Sequence, residues 1–160
     1  MHEPFKPDYL IRDGLPAMDF GRVQALLAAT YWVPGIRRDQ VERAACNSAL
    51  VIGAFLADGV QIGYARVVSD KTRFGYVCDV VVDEAHRARG LGRAMIRHAL
   101  GHPEFATVTT WTLSTRDAHQ VYAPLGFLPV TDPVSRPNDW MVLRVRREAT
   151  GSRGDNKPGF

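Results

Sequence analysis

Cysteine is scarce in this chain. Only Cys46 and Cys78 occur in its 160 residues, far apart, one in an expected helix and one in an expected strand. That argues against a disulfide scaffold and for a reduced, cytoplasmic protein. Long hydrophobic runs are also missing. No apolar N-terminal run resembles a signal peptide and no stretch approaches bilayer-spanning length, so no membrane partner is expected. Charge of one sign is lacking too, with 20 Lys+Arg against 17 Asp+Glu and a formal net of +3. So small an excess does not argue for nucleic acid, and no arginine-rich face is interleaved with exposed aromatics. It suits an anionic small ligand equally well. No internal repeat or linker divides the chain, whose length suffices for one domain with a real core. The expected organisation is a single domain over residues 1–148. Residues 149–160 carry Gly, Ser, Pro and Asn without periodicity and are expected to form a disordered tail.

What is present is organised around residues 80–93. An unbroken apolar run ends at Val80-Val81-Val82, a polar stretch turns, and Gly90 and Gly92 lead into Ala94–Leu100. That is strand, tight turn and helix. The first amides of such a helix have no intrahelical partner, and its dipole favours an anion. Glycines let another molecule approach the backbone, so the turn Arg87-x-x-Gly90-x-Gly92 reads as a phosphate cradle. An ordinary strand–helix connection with basic residues in solvent is the plainer alternative. The full Gly-x-Gly-x-x-Gly fingerprint is absent, and no Gly-Lys-Ser/Thr follows to make a P-loop.

Around this element the periodicity predicts strands at Tyr9–Arg12, Ala49–Leu56, Val60–Val68, Phe74–Val82, Val108–Thr115, Phe127–Val130 and Trp140–Val145. Helices are predicted at Phe20–Tyr31 with Asp19 as N-cap, at Asp39–Cys46, after the glycine turn, and at Ala118–Tyr122. Asp58-Gly59 signals a hairpin. The order suits an α/β fold with a mixed, mostly antiparallel sheet of about seven strands and about four helices.

Val80-Val81-Val82-Asp83 followed by Arg87-x-x-Gly90-x-Gly92 strongly resembles motif A of the GNAT superfamily of N-acetyltransferases. Tyr122-Ala123-Pro124-Leu125-Gly126-Phe127 resembles the family's downstream Tyr-x-x-Leu-Gly-Phe element. The resemblance covers roughly residues 8–147. It implies the GNAT fold, acetyl-CoA as cosubstrate without a metal, and transfer of the acetyl group directly to a primary amine of a small molecule or peptide. A monomer or homodimer is expected, and the charge pattern leaves no nucleic-acid partner expected. A non-catalytic acyl-CoA-binding sensor or interaction module on the same fold is the rival.

By the same resemblance, Arg87, Ala88, Arg89, Gly90, Leu91, Gly92 and Arg93 would hold the pyrophosphate. The backbone of Val80 and Val82 would grip the pantetheine arm, with Val80 facing the acetyl carbonyl. Tyr122 stands where many members place the general acid for the departing thiolate, a role its phenol suits. A core tyrosine is the bland alternative. Thr115 stands where many members have a cofactor-contacting asparagine. The family's commonly invoked glutamate falls at Tyr76 here, so the general base is not supplied by resemblance.

Asp79 is the one carboxylate in an otherwise apolar strand and must be paired, solvated or used. If Ser69 pairs with Phe74, Arg66 faces Val77 and shares a sheet face with Asp79. A structural Arg66–Asp79 pair and a role in binding or deprotonating the acceptor amine therefore stand side by side. Tyr31 and Trp32, between the first two helices, either border the acceptor or pack there. His119 either touches the cofactor or caps a strand, and Arg93 and Arg97 share a helix face. Cys78, without an evident histidine partner, reads as a core thiol.

Overall fold

The computed structural model describes residues 8–131 and 141–144. The chain divides after Phe127. From Leu128 onward the described residues form neither strand nor helix. The expected strand at Phe127–Val130 is therefore absent. Met141–Arg144, the described part of the expected Trp140–Val145, is not a strand either, and Trp140 and Val145 lie outside the described residues.

The first unit holds a five-stranded sheet. Its elements in chain order are β1 (Tyr9–Asp13), α1 (Phe20–Ala28), α2 (Arg38–Cys46), β2 (Leu50–Leu56), β3 (Gln61–Ser69), β4 (Phe74–Val82), α3 (Leu91–Leu100), β5 (Thr110–Leu113) and α4 (His119–Tyr122). The strands lie in sequence order, with β1 to β4 antiparallel and β5 parallel to β4. Five described strands thus replace the seven expected. A parallel neighbour needs a crossover, and α3 supplies it.

Each sheet face buries its own apolar set. Ile52, Ala54, Ala65, Val67 and Val77 pack against Leu91, Met95, Ile96 and Ala99 of α3. Val51, Phe55, Tyr64 and Val81 pack against α1 and α2 through Val23, Leu26, Leu27, Val41 and Ala45. Burial on both faces explains why β2 reads as a continuous apolar run rather than an alternating one. Gln61 is the buried polar exception. It is satisfied by the Asp19 amide at 2.8 Å and the Gly63 carbonyl at 3.0 Å, which fixes the start of α1 on the sheet.

Asp19 caps α1 by accepting from the Arg22 amide at 3.0 Å. The helix stops at Ala28, three residues short of the expected end. The Thr30 hydroxyl donates to the Leu27 carbonyl at 2.7 Å and the Gly35 amide to that of Ala28 at 3.0 Å. With its carbonyls taken, the chain leaves the helix and carries Tyr31 and Trp32 outward.

Candidate active site

The site arises where β4 and β5 part. Their pairing runs from Phe74 opposite Thr110 to Val77 opposite Leu113 and then ends. The remainder of β4, Cys78–Val82, keeps β3 as its partner and, among the described residues, leaves its other edge unpaired. The Asp83 amide donates to the Ile62 carbonyl at 2.8 Å, towards β3. Strand alternation then turns the backbone groups of Val82 and Val80 to the open edge. One of these groups is engaged, because the Val82 carbonyl accepts from Arg87 Nε at 3.2 Å.

Asp79 lies two residues beyond the last paired residue and has φ 54, a left-handed value. The β3–β4 register shifts there, from Tyr64 opposite Val81 to Arg66 opposite Cys78. Asp79 is thus the extra residue of a β-bulge. The register also corrects an expectation: Ser69 faces Gly75, not Phe74, and Arg66 faces Cys78, not Val77. The cause is the β3–β4 turn, where Asp70 Oδ1 collects the amides of Thr72, Arg73 and Phe74 and lengthens the loop. In unbroken alternation that register would send Asp79 to the α3 face with Val77. The bulge instead leaves Cys78 and Asp79 together on the face of Arg66, and Val80 and Val82 on the α3 side. The Arg66–Asp79 pair accordingly forms, with Arg66 Nε 2.6 Å from Asp79 Oδ2.

The two side chains are 21% and 12% exposed. Arg66 also reaches Ser48 Oγ at 3.4 Å. Burial works to lower the Arg66 pKa, but the hydrogen bond and charge of Asp79 outweigh it, so the guanidinium stays fully charged. Among the described residues Asp79 Oδ1 accepts no hydrogen bond, so one oxygen is held and the other is available. Burial pushes the neighbouring Cys78 thiol up to about 11. It stays protonated at neutral pH, as a core thiol should.

Tyr122 ends α4 and is 8% exposed, its ring edge-on to Phe127 with centroids 6.1 Å apart. Burial, reinforced by Tyr31 and Asp117, pushes its phenol up to about 12. Thr115 Oγ1 accepts from the Ala118 amide at 3.0 Å and so holds the entry to α4. Tyr31 and Trp32 are 47% and 41% exposed and stand edge to face at 4.9 Å, rather than buried between helices. The Arg116 guanidinium lies 3.8 Å from the Tyr31 ring centre. This contact ties the α1–α2 connection to the β5–α4 loop. Nothing in the spacing of Ser114-Thr115-Arg116-Asp117 signalled Arg116, since the contact joins segments far apart in sequence.

Below the open edge lies the glycine turn. Ala88 and Gly90 both have left-handed φ, 60 and 77. Gly90 is the N-cap of α3, without a side-chain cap, and its carbonyl takes the Ala94 amide at 2.9 Å. The amides of Leu91, Gly92 and Arg93 therefore have no intrahelical partner. A Cβ on Gly90 would meet nothing within 4 Å, whereas one on Gly92 would lie 3.9 Å from Val80 and 3.8 Å from Val121. The bare Gly92 thus keeps space open between β4 and α4.

The turn's side chains diverge. Arg93 turns to α4, its Nη2 donating to the Gln120 carbonyl at 3.4 Å. Arg89 lines a separate cavity with His86. Asp83 is paired with Arg22 of α1 and accepts the Ala85 amide at 3.0 Å. His119 and Arg97 are exposed. Among the described residues no cluster of His, Cys, Asp or Glu is arranged to hold a metal, and no helix is long and apolar enough to cross a membrane.

Comparison with known proteins gives this geometry a context. The family model for the acetyltransferase (GNAT) domain matches residues 51–129, from the second strand to just beyond the Tyr122 corner. A GNAT-family protein from Xanthomonas campestris pv. campestris superimposes with a TM-score of 0.72 at 33% identity, over 84% of this chain and 94% of that one. A GNAT family N-acetyltransferase from Escherichia coli, solved in complex with CoA, has a TM-score of 0.60 at 23% identity, covering 80% of this chain and 73% of that one. At that identity the likeness is one of fold. A UPF0039 protein of Schizosaccharomyces pombe is 32% identical over 79 residues, 48% of this chain and 53% of its own length. The chain thus spans about half the length of that curated relative. With its bulged fourth strand, parting fifth strand and glycine turn, this chain belongs to the GNAT acetyltransferase family, whose fold supports acyl transfer.

Proposed function

We propose that the protein transfers the acetyl group of acetyl-CoA to a primary amine, directly, in a ternary complex. The observation that carries this reading is the parting of β4 from β5. It opens the strand edge from Cys78 to Val82, which carries Asp79 and leads into a turn with unpartnered amides, while Val80 shares the α3-side cluster with Tyr122. The CoA-bound relative shares this fold, which supports the choice of cosubstrate.

In this reading the pyrophosphate lies on the free amides of Leu91, Gly92 and Arg93, where three donors and the helix dipole favour an anion. The pantetheine arm runs along the open edge past Gly92, hydrogen-bonding the outward groups of Val80 and the amide of Val82, whose carbonyl Arg87 already holds, as an added strand would. The Val80 amide then polarises the acetyl carbonyl. Tyr31, Trp32 and Arg116 border the acceptor.

The acceptor arrives as an ammonium ion. Asp79 Oδ1 accepts a hydrogen bond from it and draws its proton away, directly or through water, while Arg66 holds Oδ2. The amine nitrogen attacks the acetyl carbon, the C–N bond forms and the C–S bond breaks. The nitrogen's second proton, relayed through water, ends on the departing sulfur, so CoA leaves as the thiol. Tyr122 is protonated at every working pH, with its phenol at about 12. A thiol of ordinary pKa ~8.5 lies well below that, so full transfer in the ground state is uphill. The hydroxyl therefore contributes most while charge is building on sulfur, which is where a general acid lowers the barrier.

Turnover of acetyl-CoA against a panel of primary amines, read as free thiol, tests the proposal. Release that depends on the amine and yields its N-acetyl product is expected. Tight acetyl-CoA binding without turnover on any amine would favour a sensor instead.

A further inference from the structure

A second cavity, of about 470 Å³, lies away from β5 and α4. It opens between the start of β1, the end of β2, the start of β3 and the glycine turn, and none of its walls belongs to the parted strand edge. The volume is that of a small-molecule site. Its floor is apolar, made by Leu56, Ile62 and Leu91 with the ring of Tyr9. Two opposite charges complete it, Asp8 and Arg89. Among the described residues neither charged side chain forms an ion pair or a hydrogen bond, with each other or with anything else. The ring of His86 also lines the cavity, and among the described residues its Nδ1 is buried without a partner. A buried polar atom left so is costly unless something binds it.

We propose that this cavity binds a free α-amino acid with an apolar side chain. The two charges flank an apolar floor without pairing, and a zwitterion with an apolar body satisfies all three features at once. Its carboxylate takes the Arg89 guanidinium and the His86 ring nitrogen, its ammonium takes Asp8, and its side chain covers Leu56, Ile62 and Leu91. A simple fatty acid would leave Asp8 facing its carboxylate, and a simple amine would face Arg89. Each is disfavoured by charge.

The site is also placed to report on the cradle. Arg89 stands between Ala88 and Gly90, both left-handed, so its side chain enters the cavity while the amides that follow open the helix. Fixing Arg89 from the cavity side restricts the turn to the conformation that presents those amides. Occupancy therefore tightens acetyl-CoA binding, and acetyl-CoA tightens amino-acid binding by the same factor. This coupling rests on the cradle reading above; binding in the cavity does not.

Calorimetric titration of the full chain with L-leucine tests both statements, with 4-methylpentanoate and 3-methylbutylamine as single-charge controls. A Kd of about 1 mM or tighter is expected for L-leucine, with each control about tenfold weaker. Leu56→Trp, which fills the cavity, should abolish L-leucine binding. Asp8→Asn, at an exposed position, should weaken L-leucine but not 4-methylpentanoate. Saturating L-leucine should lower the acetyl-CoA Kd about fivefold. No heat from L-leucine, equal binding of 4-methylpentanoate, or unaltered binding in both variants would overturn the proposal. An acetyl-CoA Kd that ignores L-leucine would overturn the coupling. Failure of acetyl-CoA to bind at all would sink the cradle instead, while the L-leucine titration would still decide the cavity.

Discussion

The pair at the bulge offers the sharpest test, because stability and catalysis should separate there. Asp79→Asn removes the negative charge yet keeps a side chain that tolerates left-handed φ, so the φ 54 backbone need not move. The amide oxygen can still accept from Arg66 Nε, while the guanidinium, 21% exposed, loses its counter-ion. Removing one partner of a buried pair costs about 3–5 kcal/mol. Partial exposure, the Ser48 contact and the surviving hydrogen bond reduce this to about 1.5–3 kcal/mol. For a chain of this length that lowers Tm by about 4–10 °C. Arg66→Met strands the less exposed carboxylate and should cost at least as much. The double variant Arg66→Met/Asp79→Asn removes both charges and should recover most of the loss, giving a coupling energy of about 2.5–5 kcal/mol, close to the sum of the two single costs. Activity should not follow stability. If Asp79 Oδ1 manages the acceptor ammonium, kcat/KM falls by about 10²–10⁴ in Asp79→Asn and stays low in the restabilised double variant. Calorimetric melts and thiol-release kinetics on the four proteins decide it. Normal Tm and normal turnover in Asp79→Asn would refute both the energetic and the catalytic argument. Recovery of turnover together with Tm in the double variant would leave the pair purely structural.

Tyr122→Phe keeps the ring against Phe127 and removes only the hydroxyl; kcat should fall by about 10²–10⁴ with acetyl-CoA affinity and Tm little changed, as steady-state kinetics and calorimetry would show. Gly90→Ala places a methyl in space the protein leaves open, at a φ of 77 that costs about 1–2 kcal/mol, and titration should show acetyl-CoA affinity weakened more than Tm suggests. Asp70 has its pKa pulled down to about 2 by the amides of Arg73, Phe74 and Thr72. A depressed carboxylate pKa contributes stability above its unfolded value of ~3.9 and loses it as pH falls towards the folded value. Tm measured between pH 5 and pH 2, roughly the titration window, should therefore fall less steeply in Asp70→Asn than in the native chain.

Much of this molecule was legible because its cues act within a few residues. Asp19 before an apolar helix, Asp58-Gly59 between two strands, and Gly90 opening α3 each act through local backbone geometry, and each stands where the spacing put it. The ends of elements were less legible. The Phe20–Tyr31 helix was overestimated because the Thr30 hydroxyl and the Gly35 amide, not the periodicity, decide where it ends. The last two expected strands are not matched in the described residues: 127–131 and 141–144 are neither strand nor helix, and Pro129 interrupts the first of them. Arg116 was missed because its contact with Tyr31 joins segments some 85 residues apart, a separation carrying no local signal.

Asp79 divides the two kinds of information most clearly. One carboxylate in the run Tyr76–Val82 had to be paired or used, because an isolated charge is too costly to bury; that much follows from composition alone. The partner expected for it, Arg66, was right, but the register that suggested it was off by one residue. Such a slip sends every side chain to the opposite face, since strands alternate with period two. The loop held by Asp70, a local device, shifts the register, and the bulge at Asp79 against β3 reverses the consequence, so the two adjustments cancel. The same holds for the open edge. The chemistry of the Arg87–Gly92 turn and its two glycines is local and was determined by sequence. Whether β5 follows β4 to its end or leaves it after Val77 is decided by how α3, α4 and the sheet pack together. Only the tertiary structure could part those strands, because pairing is a contest between edges that local sequence does not see.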